Sequence, residues 1–175
     1  IIAAIERTVD PNNDGDFSDR VDIANMSLGG FGHPEDAMST AVNNAVQLGV
    51  VFSISAGNRF GFGTIGSPGT AASAITVGAS DKDDMIAPFS SKGPAARTQA
   101  LKPELLAPGV QILSADLKED FIAYNGTSMS APHVAGVAAL LKSIHPDWTP
   151  AQIKSAIVNT AVDLELEAMI QGNGR

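Results

Sequence analysis

The repeat of apolar positions changes several times along this chain, and each change marks an element. Ile1 to Val9 is apolar with Glu6 and Arg7 interposed, a spacing that fits the end of a helix. Val21 to Leu28 reads as a strand, closed by Gly29, Gly30 and Gly32. Beyond it Ala37, Met38, Ala41, Val42, Ala45 and Leu48 recur at helical spacing, with Pro34 at the first turn and Gly49 at the close. Val50 to Ser55 is a second strand, so strand, helix and strand predict a parallel, right-handed unit. Ala74 to Ala79 predicts a further strand, and Gln111 to Ala115 and Phe121 to Tyr124 two short ones. Val134 to Leu141 is a run of small apolar residues that predicts a buried helix. Thr149, Pro150 and Gln152 then supply an N-cap, a first-turn proline and a capping box, with Trp148 stapled to Ile153, for a helix reaching about Thr160.

This succession predicts an α/β fold, a parallel twisted sheet with helices on both faces, whose ligand sits at the carboxyl ends of the strands. A length of 175 residues fits one domain. With 44% hydrophobic but only 5% aromatic residues, the core must be built from Ala, Val, Ile and Leu. The formal charge of -8 argues against a nucleic-acid or anionic-membrane partner. The absence of cysteine excludes disulfides, thiolate metal sites and a Cys nucleophile. No run of about 18 apolar residues is present to span a membrane.

Candidate chemistry lies where the strands and the buried helix end. Ser128 follows Gly126 at the mouth of the helix, whose N–H groups and positive end would face negative charge developing beside the hydroxyl. Ser27, Leu28, Gly29 and Gly30 follow one strand, and Ser55, Ala56, Gly57 and Asn58 end another. Their glycines let a ligand backbone come close. Asp10, Asn12, Asp14 and Asp16 place oxygens at alternate positions with Gly15 at the sixth, the opening of a calcium loop of EF-hand type. Val21 stands where the twelfth ligand belongs, so a final ligand would come from elsewhere; the alternative is a solvated acidic turn. Gly61, Gly63 and Gly66 match a dinucleotide fingerprint, but Pro68 and Gly69 follow where a helix should open, and the match is rejected.

Gly126-Thr127-Ser128-Met129-Ser130-Ala131-Pro132-His133-Val134-Ala135-Gly136 resembles the nucleophile motif of the subtilases, the subtilisin-like serine proteases. The resemblance implies that Ser128 is the nucleophile and Asn58 the oxyanion-hole side chain; the two are 70 residues apart here, against roughly 66 in subtilisin. It makes Ser27 to Gly30 the edge that pairs with extended substrate, and Thr64 to Gly69 the floor of a specificity pocket bounded by Ser27-Leu28-Gly29, Ser55-Ala56-Gly57 and Thr64-Ile65-Gly66. None of these carries a charge, so a large apolar or aromatic substrate residue is expected there. Phe89 to Pro94, Leu101 to Val110 and the tail from Gln171 resemble further family segments.

Subtilases order their triad Asp, His, Ser, with His roughly 150 residues before Ser. Only 127 residues precede Ser128, and neither an Asp-Thr/Ser-Gly nor a His-Gly-Thr-His motif occurs. His133 lies about 140° around the helix from Ser128 at about 100° per residue, and His33 and His145 sit at predicted helix ends. The expectation is therefore that residues 1–175 form the carboxyl-terminal part of a subtilisin-like peptidase domain, incomplete on its N-terminal side and inactive alone. Its partners would be a peptide or protein substrate and the N-terminal part of its own domain. Its cofactor would be structural calcium and its setting secreted, and exposed apolar edges would favour self-association. The alternatives are a pseudoenzyme or peptide-binding module that keeps the groove, and a calcium-dependent module.

Overall fold

The computed structural model describes residues 1–117 and 120–175. The chain opens with helix α1 (Ile2–Val9) and, after the acidic turn, a single 3-10 turn at Phe17–Asp19. Strand β1 (Ile23–Met26), helix α2 (Ala37–Gln47) and strand β2 (Val51–Ser55) form the expected parallel unit. Strands β3 (Ile75–Ser80) and β4 (Leu105–Pro108) follow, then the hairpin β5 (Ile112–Ala115) and β6 (Phe121–Tyr124). The long helix α3 (Thr127–Ile144), helix α4 (Pro150–Asn159) and the single turn α5 (Ala168–Gln171) close the chain. The main sheet is parallel throughout, in the order β1-β2-β3-β4, while β5 and β6 pair antiparallel beside it.

Period-two alternation of side chains divides β2 between two cores. Phe52 and Ile54 pack with Ile5, Val9, Val42 and Ala45 under α1 and α2. Val51 turns the other way, joining Ile75, Val77, Ala131, Val134, Ala138, Ile153 and Ile157 under α3 and α4. Helices thus cover both faces, and all of β2 and β3 is buried. Each large apolar side chain so removed from water contributes about 1.5–3 kcal/mol.

Three features depart from the sequence expectation. Asp36 caps α2 by accepting from Ser39 N at 2.8 Å, so Pro34 lies in the preceding turn and not in the helix. A carboxylate that can take an orphan N–H is the stronger start signal. Strand β4 was read only as a family segment, and α5 was not anticipated; four residues each give too short a pattern. By contrast α4 begins as expected, with Thr149 and Gln152 in a complete capping box.

Lys102 is the notable polar residue inside, with 2% of its surface exposed. Its Nζ donates to Ala71 O at 2.8 Å, Thr76 Oγ1 at 2.9 Å and Glu104 Oε1 at 2.8 Å. Glu104 also accepts from Lys154 Nζ at 2.7 Å and Thr76 N at 2.8 Å. One carboxylate thereby ties β3 and β4 to α4. Burial pulls the Lys102 ammonium down from 10.5 to about 8, against the opposing pull of Glu104.

Candidate active site

The mouth of α3 is built by one glycine and one proline. Gly126 caps the helix at φ 154°, and a side chain there would press on Asn58 Nδ2. Ser128 follows in the first helical turn. Pro132, inside the helix, has no N–H to offer the Ser128 carbonyl four residues before it. That carbonyl accepts instead from Ser27 Oγ at 2.7 Å, so the helix mouth is tied to the segment following β1. A second tie, from Ser53 Oγ to Ala131 O at 2.8 Å, fixes the next part of the helix to β2.

Asn58 is held by its amide oxygen, which accepts from Thr127 N at 2.9 Å and Thr127 Oγ1 at 3.0 Å. Thr127 Oγ1 in turn accepts from Gly57 N at 3.1 Å. With Oδ1 so occupied, Asn58 Nδ2 donates to no protein acceptor among the described residues. The N–H groups on either side of Ser128 N are used: Thr127 N by Asn58, and Met129 N by Gly126 O at 3.0 Å. The N–H of Ser128 is left, as helix geometry leaves the first-turn donors. Two unspent donors therefore open near Gly126, where an added Cβ would lie 3.2 Å from Asn58 Nδ2 and 3.7 Å from Ser128 N, and the positive end of α3 adds to their effect. Buried Thr127 joins Asn58 to the helix and was not singled out from the sequence, although it stands beside Ser128 in the same motif.

A cleft of about 260 Å³ opens from this point. Its lining includes Ser27, Leu28, Gly29, Gly30, Ser55, Ala56, Gly57, Asn58, Gly66 and Ser128, which the sequence placed in one site, together with Thr64 and Thr127. Ile65 turns away into the interior at 3% exposure. Gly66 is not an open floor. A Cβ added there would meet Gly30 O at 2.6 Å, because Gly30 and Ser67 pair across the cleft through Gly30 N to Ser67 O at 2.9 Å. A larger residue at Gly66 would thus displace a wall rather than fill a pocket. Arg59, not picked out as a site residue, also lines the cleft and gives it a positive charge.

Among the described residues Ser128 Oγ donates only to Ser27 O, at 3.3 Å, an acceptor that cannot take up its proton. None of the histidines is bonded to it. His133 is engaged through Nδ1 with Met129 O at 2.7 Å, His33 lies 3.0 Å from Arg97, and His145 stacks on Trp148 at 3.8 Å.

In the acidic turn, Asp10 accepts from Asp14 N and Gly15 N, and Asn12 Oδ1 from Asp14 N. Asp14 accepts from Asp16 N, and Asp16 from Ser18. All-oxygen donors suit a hard cation. The N–H bonds they accept leave lone pairs over, but no group of three or more His, Cys, Asp or Glu is gathered to hold a metal among the described residues. A calcium ion would require them to regroup.

A parallel sheet covered on both faces, with a serine at the mouth of a helix that buries one face, and not the whole of itself as its sequence suggested, and an amide donor beside it, defines an α/β protein of the subtilisin type. Residues 1–174 match the model Peptidase_S8, described as the subtilase family, and the chain belongs to that family. It is 42% identical over 151 residues to Subtilisin E of Bacillus subtilis (strain 168), a match covering 85% of this chain and 38% of that protein. To Alkaline elastase YaB of Bacillus sp. (strain YaB) it is 41% identical over 142 residues, covering 81% and 35%. Among solved structures, that of a cold adapted subtilisin-like serine proteinase superposes with TM-score 0.79 at 32% identity, over 96% of this chain and 56% of that one. The prenylagaramide maturation protease PagA gives TM-score 0.79 at 28% identity, over 99% and 62%. The chain thus spans less than two thirds of each of these relatives' length.

Proposed function

We propose that residues 1–175 carry the nucleophile, the oxyanion donors and the substrate edge of a serine endopeptidase. Ser128 Oγ adds to a peptide carbonyl laid along Ser27 to Gly30, its proton passing to a histidine supplied from outside these residues, which an aspartate orients. The carbonyl oxygen, now negative, is held by Asn58 Nδ2 and the Ser128 N–H. The amine leaves with the proton returned by the base, and water repeats the sequence on the acyl-enzyme. The pair of unspent donors near Gly126 carries this reading. Without its base the chain alone is inactive. The N-terminal part of the domain would cover the exposed Val137, Leu140 and Ile144 of α3, side chains that otherwise favour self-association. Secretion is proposed on family grounds; no helix among the described residues is long and apolar enough to cross a membrane.

Calcium at the Asp10 to Asp16 turn enters no step. A melting temperature that rises with added calcium, and no longer does so in Asp14→Ala, would place the ion there.

The test is labelling of the full-length gene product with a fluorophosphonate. Stoichiometric modification at Ser128, lost in Ser128→Ala and sluggish in residues 1–175 alone, is expected. Because Ser128 Oγ bonds only a carbonyl, the second reading is a peptide-binding module; peptide binding without any labelling would establish it.

A further inference from the structure

The charge at the cleft mouth belongs to a residue that the family segments did not mark. Arg59 is exposed and lines the cleft next to Asn58. Its guanidinium sits over the ring of Phe31, Cζ 3.7 Å from the centroid, and makes no side-chain hydrogen bond among the described residues. Phe31 is itself 90% exposed, so the ring is not there to fill the core. An arginine stacked by its face keeps its in-plane N–H donors free, and that fork fits a carboxylate with two parallel hydrogen bonds.

No carboxylate among the described residues takes up the offer. Among the described residues Arg59 is in no ion pair, and the acids nearest in sequence to Phe31 are engaged elsewhere. Glu35 faces Arg97 at 3.8 Å. Asp36 accepts from His33 N, Ser39 N and Ser67 Oγ. Burial pushes its carboxyl up, but these hydrogen bonds hold it below its usual range.

A second cation stands on the neighbouring segment. Lys92 Nζ lies 5.7 Å from the ring centroid of Phe60 and 5.5 Å from that of Phe62, both exposed. The two segments are stapled together: Arg59 N donates to Ser91 Oγ, Lys92 N to Gly61 O, and Thr64 N to Lys92 O. In a chain of formal charge -8, two cations held over three exposed aromatic rings beside the cleft make a local field opposite to that of the whole.

We propose that Arg59, stacked on Phe31 and backed by Lys92, is a specificity-determining residue that selects a substrate with an acidic side chain at the position entering the cleft. This rests on the peptidase reading of the same site and replaces the charge-free pocket drawn from the sequence. The stem of Arg59 and the rings receive the methylenes of a glutamate, and the guanidinium receives its carboxylate.

The experiment compares cleavage, by the full-length gene product, of peptides identical except for Glu, Gln, Leu or Lys before the scissile bond. An exposed charge pair is worth up to about 1 kcal/mol and a charge-assisted fork somewhat more. Glu should therefore exceed Gln in kcat/KM by about 5- to 10-fold at low salt, the ratio falling in 0.5 M NaCl. Arg59→Gln should bring the Glu/Gln ratio to about 1, and Arg59→Glu should turn the preference to Lys. Cleavage with no preference for Glu, or a preference that survives Arg59→Gln, overturns the proposal and leaves the peptidase reading standing. No cleavage together with no fluorophosphonate labelling overturns both.

Discussion

Two halves of the molecule differ in how completely they are closed. In β2 and β3 every residue is buried, and the charged groups beneath them, Lys102, Glu104 and Lys154, satisfy one another. Strand β1 is only half covered and has a neighbour on one side alone, and β5 and β6 expose Leu113, Phe121 and Tyr124. Ser128 lies on the seam. The Asn58 amide is fixed from the closed half through Thr127 and Gly57, whereas the Ser128 hydroxyl faces the cleft with no histidine bonded to it among the described residues. The closed half can thus be probed by stability and the open half by activity and association.

The largest effect should come from the seam. Asn58→Ala in the full-length gene product should lower kcat by about 10² to 10³ with little change in KM, the magnitude known for subtilisin. Asn58→Asp sharpens the test, because it keeps an oxygen for Thr127 while removing the donor; peptide-hydrolysis kinetics showing kcat intact in either variant would take Asn58 out of the mechanism.

In the closed half, Lys102→Met should cost about 2–4 kcal/mol by urea unfolding, since Glu104 would lose the cation on which it is seated, keeping Lys154 and Thr76 N, and the carbonyl of Ala71 would lose its partner. A loss under 1 kcal/mol would show that the triad of charges is replaceable. The same residue gives a pH signature. Its folded value of about 8 lies below the ordinary 10.5, so between these the unfolded chain binds more protons and stability rises with pH. Below about pH 8 both states are protonated and this contribution is flat. Urea midpoints from pH 7.5 to 10 should show the rise in the wild type and not in Lys102→Met.

The smallest effect is expected in the open half. Leu140→Lys with Ile144→Lys should change the stability of residues 1–175 by less than about 0.5 kcal/mol, as exposed positions do. Sedimentation should nevertheless show less self-association than in the wild type. A wild type that is monomeric throughout the concentration range would show that this face is not adhesive.

The contrast between the halves also explains what the sequence made legible. β2 was clear because a strand buried on both faces reads as an unbroken apolar run, and α4 because its cap is local. Most residues of the cleft were recognisable by motif, and the fold brings them to one place, Ile65 excepted, which turns inward. Arg59 was passed over because no property of an arginine in a loop says which way it points. Gly66 was placed at the cleft by motif, but the close approach of the Gly30 backbone, which an added Cβ would meet at 2.6 Å, shows only in the fold. The open side left no signal in the pattern, since Val137, Leu140 and Ile144 are as apolar as their buried neighbours on α3.

Pro132 has a consequence for how the nucleophile could respond to what lies in the cleft. Because the Ser128 carbonyl is answered from Ser27, the first turn of α3 and the Ser27 to Gly30 segment share a hinge pin, beside the longer bond from Ser128 Oγ to Ser27 O. A peptide strand laid against Ser27 to Gly30 would pull on that pin, and the turn bearing the hydroxyl would feel the pull directly. An alanine at 132 would let the helix close its own ladder and set Ser27 free, so that docking and the aim of the hydroxyl would become independent events.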